Sequence, residues 1–565
     1  MSIIRMIKSV SSTSSPTVRR RPAWGVIGAA GAFTLVWFAL LAGRPLFEPD
    51  EGRYAEIPRE MAAGGSWIVP HLDGLVYLEK PPLQYWLTAM IFRVAGENEF
   101  TARFTTGLAG YSCLALVFWV AYRLWGVGAA CKALLLTAAS GLFVMMGHQL
   151  TLDMLLCASL LAALGCFLMA ESSAHRQAWI NARRWMLACW TSMAFAVLSK
   201  GLIGAVLPAG SLLIYAAWQR DRRIFTRLHA RFGLALFSLI TAPWFVLAAL
   251  ANPAFLKFFF VREHFQRFLT PVEHRTEPWW FFVPVLAVGV LPWLPQAIRA
   301  LALPLRAVST LPSAFDPRRL LWSWCAFVLV FFSASNAKLI PYILPSIPAL
   351  ALLCAAPGDQ SAARRDVIGG ALLSLAAGVG IAVYSSGRFS AGAGHALAVH
   401  LAPWLMPAAA VLSVVGAGTL LLAARNRAPA ALILLCCGWF ACAAEILVAA
   451  RFAADVFSAK GAALALKHAA PATAPIFSVQ TYEQSLPFYL RREVTLVDYR
   501  DELTLGLSQQ PDKGIESLDR FVDRWSALDQ AFAIMPHRTH NDLATRGVPM
   551  RLVADFPNAV VVSRR

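Results

Sequence analysis

The chain has 565 residues, of which 58% are hydrophobic and 15% charged, and its 50 Lys+Arg against 32 Asp+Glu leave a net charge of +18. With a mean hydropathy of +0.57, this composition excludes an ordinary soluble globular protein and describes a multi-spanning helical membrane protein. The basic excess sits largely in short loops between apolar stretches, so membrane orientation accounts for it and no nucleic-acid partner is needed.

In chain order, residues 1–22 form a cytoplasmic N-terminus in which Arg19-Arg20-Arg21 hold the front of the first apolar stretch inside. That stretch, 23–43, is too long for a signal-peptide core and reads as a retained helix. Further spans of roughly 20 apolar residues are predicted at 100–122, 128–147, 151–170, 185–200, 202–218, 232–250, 279–298, 319–335, 338–355, 366–384, 403–423 and 429–450. The total is about thirteen transmembrane helices. The short pair flanking Lys200-Gly201 also reads as one bent span, which would give twelve. Loop charges favour thirteen: with the N-terminus inside, the arginine-rich connections, such as Arg220, Arg222, Arg223, Arg227 and Arg231, all fall on the inside.

The domains that follow are a transmembrane region, 23–451, with outside loops at 44–99 and 252–278, and an outside tail, 452–565. Within the first loop, 82–94 is amphipathic and too short to span, so it is expected to lie along the interface. In the tail, Ile476–Val479, Val494–Val497, Phe532–Met535 and Val560–Val562 are β-prone runs alternating with helix-like stretches, the pattern of a small α/β domain. Recognition or a lid is the role expected of it, without chemistry. The ten cysteines lie in or beside apolar stretches and form no CxxC pair, so neither a disulfide framework nor a thiolate zinc site is indicated.

The residues that can do chemistry concentrate in the first loop. No phosphate-binding glycine loop, HExxH or DxD pair is present, so an activated group would have to arrive on another carrier, and a lipid suits a protein held mostly in a bilayer. Asp50 and Glu51 are adjacent acids. One reading makes Asp50 a helix N-cap, with Glu56 and Glu60 on one helix face neutralised by Arg53; the other makes the pair a general base or a sugar-orienting group. Asp153 is a membrane-end acid for which pairing with a nearby arginine is the structural alternative. Glu79-Lys80-Pro81-Pro82 fixes a compact cation suited to phosphate, against the alternative of a snorkelling surface lysine. Arg262 and Arg267 flank His264 and offer bidentate phosphate contacts. Lys338, which begins a span four residues before Tyr342, adds a further basic group on the same side. Glu79 with His264 supplies two donors of a metal site, fewer than a zinc site needs.

The runs Glu48-Pro49-Asp50-Glu51-Gly52-Arg53-Tyr54-Ala55-Glu56, Glu79-Lys80-Pro81-Pro82-Leu83-Gln84-Tyr85-Trp86, Ser199-Lys200-Gly201 and Lys338-Leu339-Ile340-Pro341-Tyr342 resemble the bacterial lipid A aminoarabinose transferases, members of the GT-C group that also holds the protein O-mannosyltransferases. The resemblance runs from residue 23 to about 450, and the tail matches in position and size. It implies a GT-C fold in a Gram-negative inner membrane, with the active site facing the periplasm. The implied reaction moves 4-amino-4-deoxy-L-arabinose from undecaprenyl phosphate to a phosphate of lipid A, lowering surface negative charge and with it the attraction of polymyxin-like cationic peptides. By the same resemblance Asp50 stands at the reaction centre and Asp153 lines the cavity. Lys80, Arg53, Arg267 and Tyr342 contact the carrier phosphate, and Glu79 and His264 are candidates for a structural zinc. No cofactor is expected for the chemistry itself. A mannosyltransferase acting on protein hydroxyls and a polyprenyl-lipid flippase are the alternatives.

The span count carries its own test. An alkaline phosphatase fused after Arg565 is expected to be active, because thirteen spans place the tail outside; an inactive fusion would remove both the count and the tail's assignment.

Overall fold

The structure, a computed structural model, describes residues 23–266, 277–306, 315–357, 360–386, 393–499 and 501–564. Its larger part is a bundle of helices: α1 (Ala23–Ala39), α2 (Asp50–Ala62), α3 (Leu83–Ala95), α4 (Glu99–Trp125), α5 (Val127–Ala138), α6 (Gly141–His148), α7 (Asp153–His175), α8 (Trp179–Lys200), α9 (Ile203–Gln219) and α10 (Ala230–Ala251). The bundle continues with α11 (Phe282–Gly289), α12 (Leu294–Arg306), α13 (Pro317–Ala334), α14 (Ser346–Ala355), α15 (Gln360–Ser385), α16 (Ala393–Ala424) and α17 (Ala428–Ala449).

Helix occupies each of the thirteen predicted apolar stretches, but length and composition qualify fewer of them as spans. Among the described residues six helices pass on their own, and two bent pairs, α5 with α6 and α11 with the segment that includes α12, raise the number to eight. The pairs bend by 69° and 83°. Others, including α9 and the helical stretch ending in α14, are apolar but shorter than a bilayer's thickness requires. The pair at Lys200-Gly201 is two helices: Gly201 takes φ +87°, a conformation that suits glycine alone. Gly204 then lies against the backbone of Ala196 and Val197, so α9 folds back along α8.

Small residues permit the closest packing inside the bundle. Trp37 of α1 is fully buried against Gly110 of α4 and Gly147 of α6. Its indole Nε1 donates to the Gly107 carbonyl at 2.9 Å, and its ring lies 4.4 Å from that of His148. The start of α4 follows from local chemistry. Asn98 accepts from the Thr101 amide while the Thr101 hydroxyl accepts from the Asn98 amide, each at 3.0 Å, a reciprocal cap.

The loop between α1 and α4 is folded rather than extended. It holds α2, a two-residue hairpin of β1 (His71–Leu72) and β2 (Leu75–Val76), and α3. Glu51 pins it. That carboxylate is fully buried and accepts from Arg44 Nη1 at 2.7 Å, Arg103 Nε and Nη2 at 2.8 Å, and the backbone amides of Phe47 and Leu150 at 2.9 Å. Burial alone would raise its pKa, but Arg103 and Arg44 overcome burial and hold it well below the usual carboxylate range.

The C-terminal region is the expected α/β domain. Its sheet orders β5-β4-β3-β6-β8-β7, from β3 (Ile476–Val479), β4 (Thr495–Val497), β5 (Gly514–Ile515), β6 (Phe532–Met535), β7 (Arg551–Asp555) and β8 (Val560–Ser563). The first four strands in that order are parallel, and β8 runs antiparallel to both β6 and β7. All four predicted β-runs are strands. The domain docks on the first loop: Asp73 accepts from the Val494 amide at 2.9 Å, and Lys513 donates to the Gly74 carbonyl at 2.9 Å. At Gly52 of α2, even a methyl group would overlap the backbone of Gln484 and Ser485.

Arg103→Met is expected to cost about 3–5 kcal/mol, because it removes one of two guanidinium partners from a dry carboxylate. Arg103→Lys should recover only part of this, since the fork that reaches Glu51 and the carbonyls of Leu41, Arg44 and Pro45 is lost. Thermal unfolding of the detergent-solubilised variants measures it, and wild-type stability in Arg103→Met would deny Glu51 its structural role.

Candidate active site

Where the bundle meets the α/β domain lies a polar cavity of about 310 Å³. Asp50, Arg53 and Tyr54 come from α2, Glu79 and Lys80 from the loop before α3, and Thr151 and Asp153 from the start of α7. Lys200 ends α8, Phe258, Arg262 and Glu263 come from the helical turn Lys257–Gln266, Leu339, Pro341 and Tyr342 precede α14, and Asp501 and Glu502 belong to the C-terminal domain. Among these described residues, six carboxylates face four cations.

The charges are interleaved. Arg53 pairs with Glu502 and lies 3.8 Å from Asp50, whose side chain is 40% exposed. Asp153 pairs with Lys200, whose ammonium sits 4.7 Å above the Tyr342 ring. Lys80 donates to Glu263 at 2.8 Å and lies 3.9 Å from Glu79. Glu79 in turn accepts from the Tyr77 hydroxyl at 3.0 Å. Burial, and then the negative charge of Glu263, push the Glu79 carboxyl up to about 7. Arg262 is exposed, with its guanidinium over the Phe258 ring at 5.4 Å.

The structure therefore gathers Asp50, Asp153, Lys80, Arg53, Glu79, Arg262 and Tyr342 from distant parts of the chain. Two predicted residues are elsewhere. Glu51 is spent on Arg44 and Arg103 behind the cavity, where both of its oxygens already have donors. Lys338 is buried and turned to the Ser335 carbonyl at 2.5 Å. Arg267 and the side chain of His264 lie outside the described residues.

The capping alternative for Asp50 is not what occurs. Pro49 stands at the N-cap, Asp50 is the first helical residue, and no side chain caps the helix. Glu56 is neutralised by Arg59 at 2.6 Å rather than by Arg53, and Glu60 accepts from the Gly74 amide at 3.1 Å. The partner of Asp153 is a lysine, not an arginine.

The pairing of Glu79 with His264 as zinc ligands involves a side chain outside the described residues, and the described residues add no third ligand to Glu79. Its nearest charged neighbours are the ammonium of Lys80 and the carboxylate of Glu263 that the ammonium already serves. Among the described residues no three His, Cys, Asp or Glu side chains converge as metal ligands.

Lys200 and Glu263 are site members that the sequence does not mark, because isolated charges beside a span look alike whichever way they point. Asp501 and Glu502 had no signal at all. They reach the cavity only through the docking of a domain to which no chemistry was assigned.

A membrane helical bundle with its charged cavity at one end, roofed by a small α/β domain, defines the class: a GT-C-type integral membrane glycosyltransferase. Residues 25–259 match the dolichyl-phosphate-mannose-protein mannosyltransferase model, and residues 462–564 match the aminoarabinose transferase C-terminal domain. The chain belongs to the family of undecaprenyl phosphate-α-4-amino-4-deoxy-L-arabinose arabinosyl transferases. It is 30% identical to that protein of Pectobacterium carotovorum over 529 residues, covering 88% of this chain and 89% of the relative. It is 36% identical over 335 residues to that of Sodalis glossinidius, an alignment covering 58% of each chain. The crystal structure of ArnT from Cupriavidus metallidurans bound to undecaprenyl phosphate superposes with a TM-score of 0.88 at 31% identity, over 96% of this chain and 99% of that one.

Glu79 sets a pH dependence. Below about 7 it is largely protonated and leaves Lys80 its charge; as pH rises through 7 it ionises and competes for the ammonium. Affinity for a polyprenyl phosphodiester, whose own charge is fixed over this range, should fall several-fold between pH 6 and 8.5, and Glu79→Gln should flatten the curve. Titration by lipid binding at fixed ionic strength measures this, and an unchanged slope in Glu79→Gln would assign the dependence to another group.

Proposed function

We propose that the protein transfers 4-amino-4-deoxy-L-arabinose from undecaprenyl phosphate to a phosphate of lipid A on the periplasmic side of the inner membrane. The observation that carries this reading is the mixed charge of the cavity: Lys80 and Arg262 offer cations to a phosphate within reach of Asp50 and Asp153. A donor bearing both a phosphate and an ammonium sugar needs both signs at once. Family membership and the undecaprenyl phosphate bound to the Cupriavidus protein support the choice of donor.

Fixed cations stabilise the departing carrier phosphate, a charge that develops as the glycosidic bond breaks. Lys80 is the principal one, drawn from Glu263 toward the phosphate. The acceptor phosphate is already an anion at neutral pH and requires orientation rather than deprotonation. Asp50, the more exposed of the Asp50 and Asp153 pair, supports positive charge developing at the anomeric carbon and orients the sugar. Asp153 holds Lys200 against the Tyr342 face of the cavity. The product carries an added amino group, which lowers surface negative charge and weakens the attraction of polymyxin-like peptides.

Lys80→Ala should abolish transfer in a folded protein, and Lys80→Arg should be poor, since a point charge held by Pro81 and Pro82 is replaced by a planar fork. Asp50→Asn should be strongly impaired, but without losing any limb of the pH profile. A hydroxyl acceptor would instead need a base worth typically 10²–10⁴-fold, visible as a limb present in wild type and absent from Asp50→Asn. The assay is sugar transfer from undecaprenyl phosphate-aminoarabinose to lipid A over a pH series. Full activity in Lys80→Ala would overturn the phosphate role. Transfer to a Ser/Thr peptide with none to lipid A would make the protein an O-glycosyltransferase.

A further inference from the structure

Two helices, one beginning against the C-terminal region and one beginning beside the active-site cavity, run to the opposite end of the bundle and meet there. Glu99, at the start of α4, pairs with Lys460 of the C-terminal region at 2.6 Å, and the helix ends at Trp125. Helix α14 begins four residues beyond Tyr342 and ends at Ala355. Between these far ends, α5, α12 and α15 enclose a cavity of about 240 Å³.

Its charged lining is Lys132 and Arg299. Lys132 donates to the Cys354 carbonyl at 2.8 Å, one of the last carbonyls of α14. Arg299 holds Asp366 through Nε at 2.8 Å and Nη2 at 2.5 Å, leaving Nη1 without a bond among the described residues. At the rim, Arg318 donates to the carbonyl of Pro357. Among the described residues the lining itself carries two cations and no carboxylate; Asp366 serves Arg299, and Asp316 accepts from the Arg318 amide at the rim. The rest of the wall is small, with Gly128, Ala129, Ala355, Ala356 and Ala363, so the ammonium and guanidinium are not covered by bulk.

Two features fix the depth and the kind of anion. Trp125 is part of the lining, and tryptophan concentrates where bilayer meets water. Val127 and Ile298, the chain neighbours of the lining residues Gly128 and Arg299, are 62% and 61% exposed, so apolar side chains face outward on the two helices that carry the pocket's cations. A dissolved anion has no use for that surface, whereas a lipid has an acyl chain to lay on it and a phosphate to place in the pocket. Basic pockets between helices at head-group depth are the general form of such sites.

We propose that this cavity binds the phosphate head group of an anionic phospholipid such as phosphatidylglycerol, in the leaflet opposite the active site. Lys132 and Arg299 hold the phosphate oxygens, and the chains lie over Val127 and Ile298. The bland alternative is that Lys132 does no more than cap α14, since cations near a helix C-terminus are favourable in any case. The site is independent of the transfer reaction, and its occupancy is readable without it.

The test uses the full chain, delipidated in a neutral detergent and titrated separately with phosphatidylglycerol, phosphatidylcholine and inorganic phosphate, read by native mass spectrometry and by thermal shift. Wild type should retain phosphatidylglycerol in preference to phosphatidylcholine. Lys132→Gln, whose amide still donates to Cys354, should weaken that preference about fivefold, the value of one basic side chain near a charged surface. Gly128→Glu should weaken it at least as much. A Cβ at that position meets nothing within 4 Å, so the variant adds negative charge to the lining, one turn before Lys132 on the same helix, and it reads the same preference if Lys132→Gln folds poorly. Sugar transfer should be unchanged in both. Equal binding of the two lipids, or an unaltered preference in Gly128→Glu, would overturn the proposal and leave Lys132 a helix cap. Protection by inorganic phosphate equal to that by phosphatidylglycerol would overturn the lipid assignment in favour of a free anion.

Discussion

The Glu51 carboxylate, buried between Arg44 and Arg103, is the constraint on which the active site rests. A charge in dry surroundings is tolerated only when every lone pair is met, and here donors from the loop, from α4 and from the α6–α7 junction all converge on it. Three parts of the chain that are far apart in sequence are thereby fixed to one point. Asp50, the neighbouring residue, inherits that fixed position while its own side chain turns to the cavity. Adjacent acids so divide the work, one holding the scaffold and the other facing substrate.

Three of the cavity's four cations are held by a carboxylate: Lys80 by Glu263, Lys200 by Asp153, Arg53 by Glu502. This arrangement keeps them oriented before any ligand arrives, so little reorganisation is needed at the moment of binding. It also sets the terms of competition, because an incoming phosphate must outdo a carboxylate already in place. Lys80 is the best placed to exchange partners, since its two neighbouring acids repel one another and burial holds one of them close to neutrality.

Much of the architecture was legible in the sequence because hydrophobic length and β-propensity are local properties. Helices occupy the predicted apolar stretches, and Ile476–Val479, Phe532–Met535 and Val560–Ser563 form strands. The bends at Ser140 and Leu291 were passed over although Ser140-Gly141 and Pro292 mark them, because a run of apolar residues reads as one span whether or not it turns. The site was partly legible. Asp50 and Lys80 stood out because charges and prolines are dense around them, whereas Glu51 looked equivalent to Asp50 although a one-residue step on a helix turns a side chain by about 100°. Lys338 looked like a site cation for the same reason that Lys200 did not: linear sequence records that a charge is near a membrane end and says nothing of the direction it faces.

The close approach of Gly52 to Gln484 and Ser485, together with the Arg53–Glu502 pair, has a consequence for how the protein is made. Arg53 lies in the first tenth of the chain and its carboxylate in the last eighth. During synthesis the guanidinium must therefore wait, hydrated, until nearly every helix has been inserted and the terminal domain has folded onto it. The active site closes as a late act of biogenesis, so a chain that stalls or is clipped within its final domain reaches the membrane inserted but chemically incomplete.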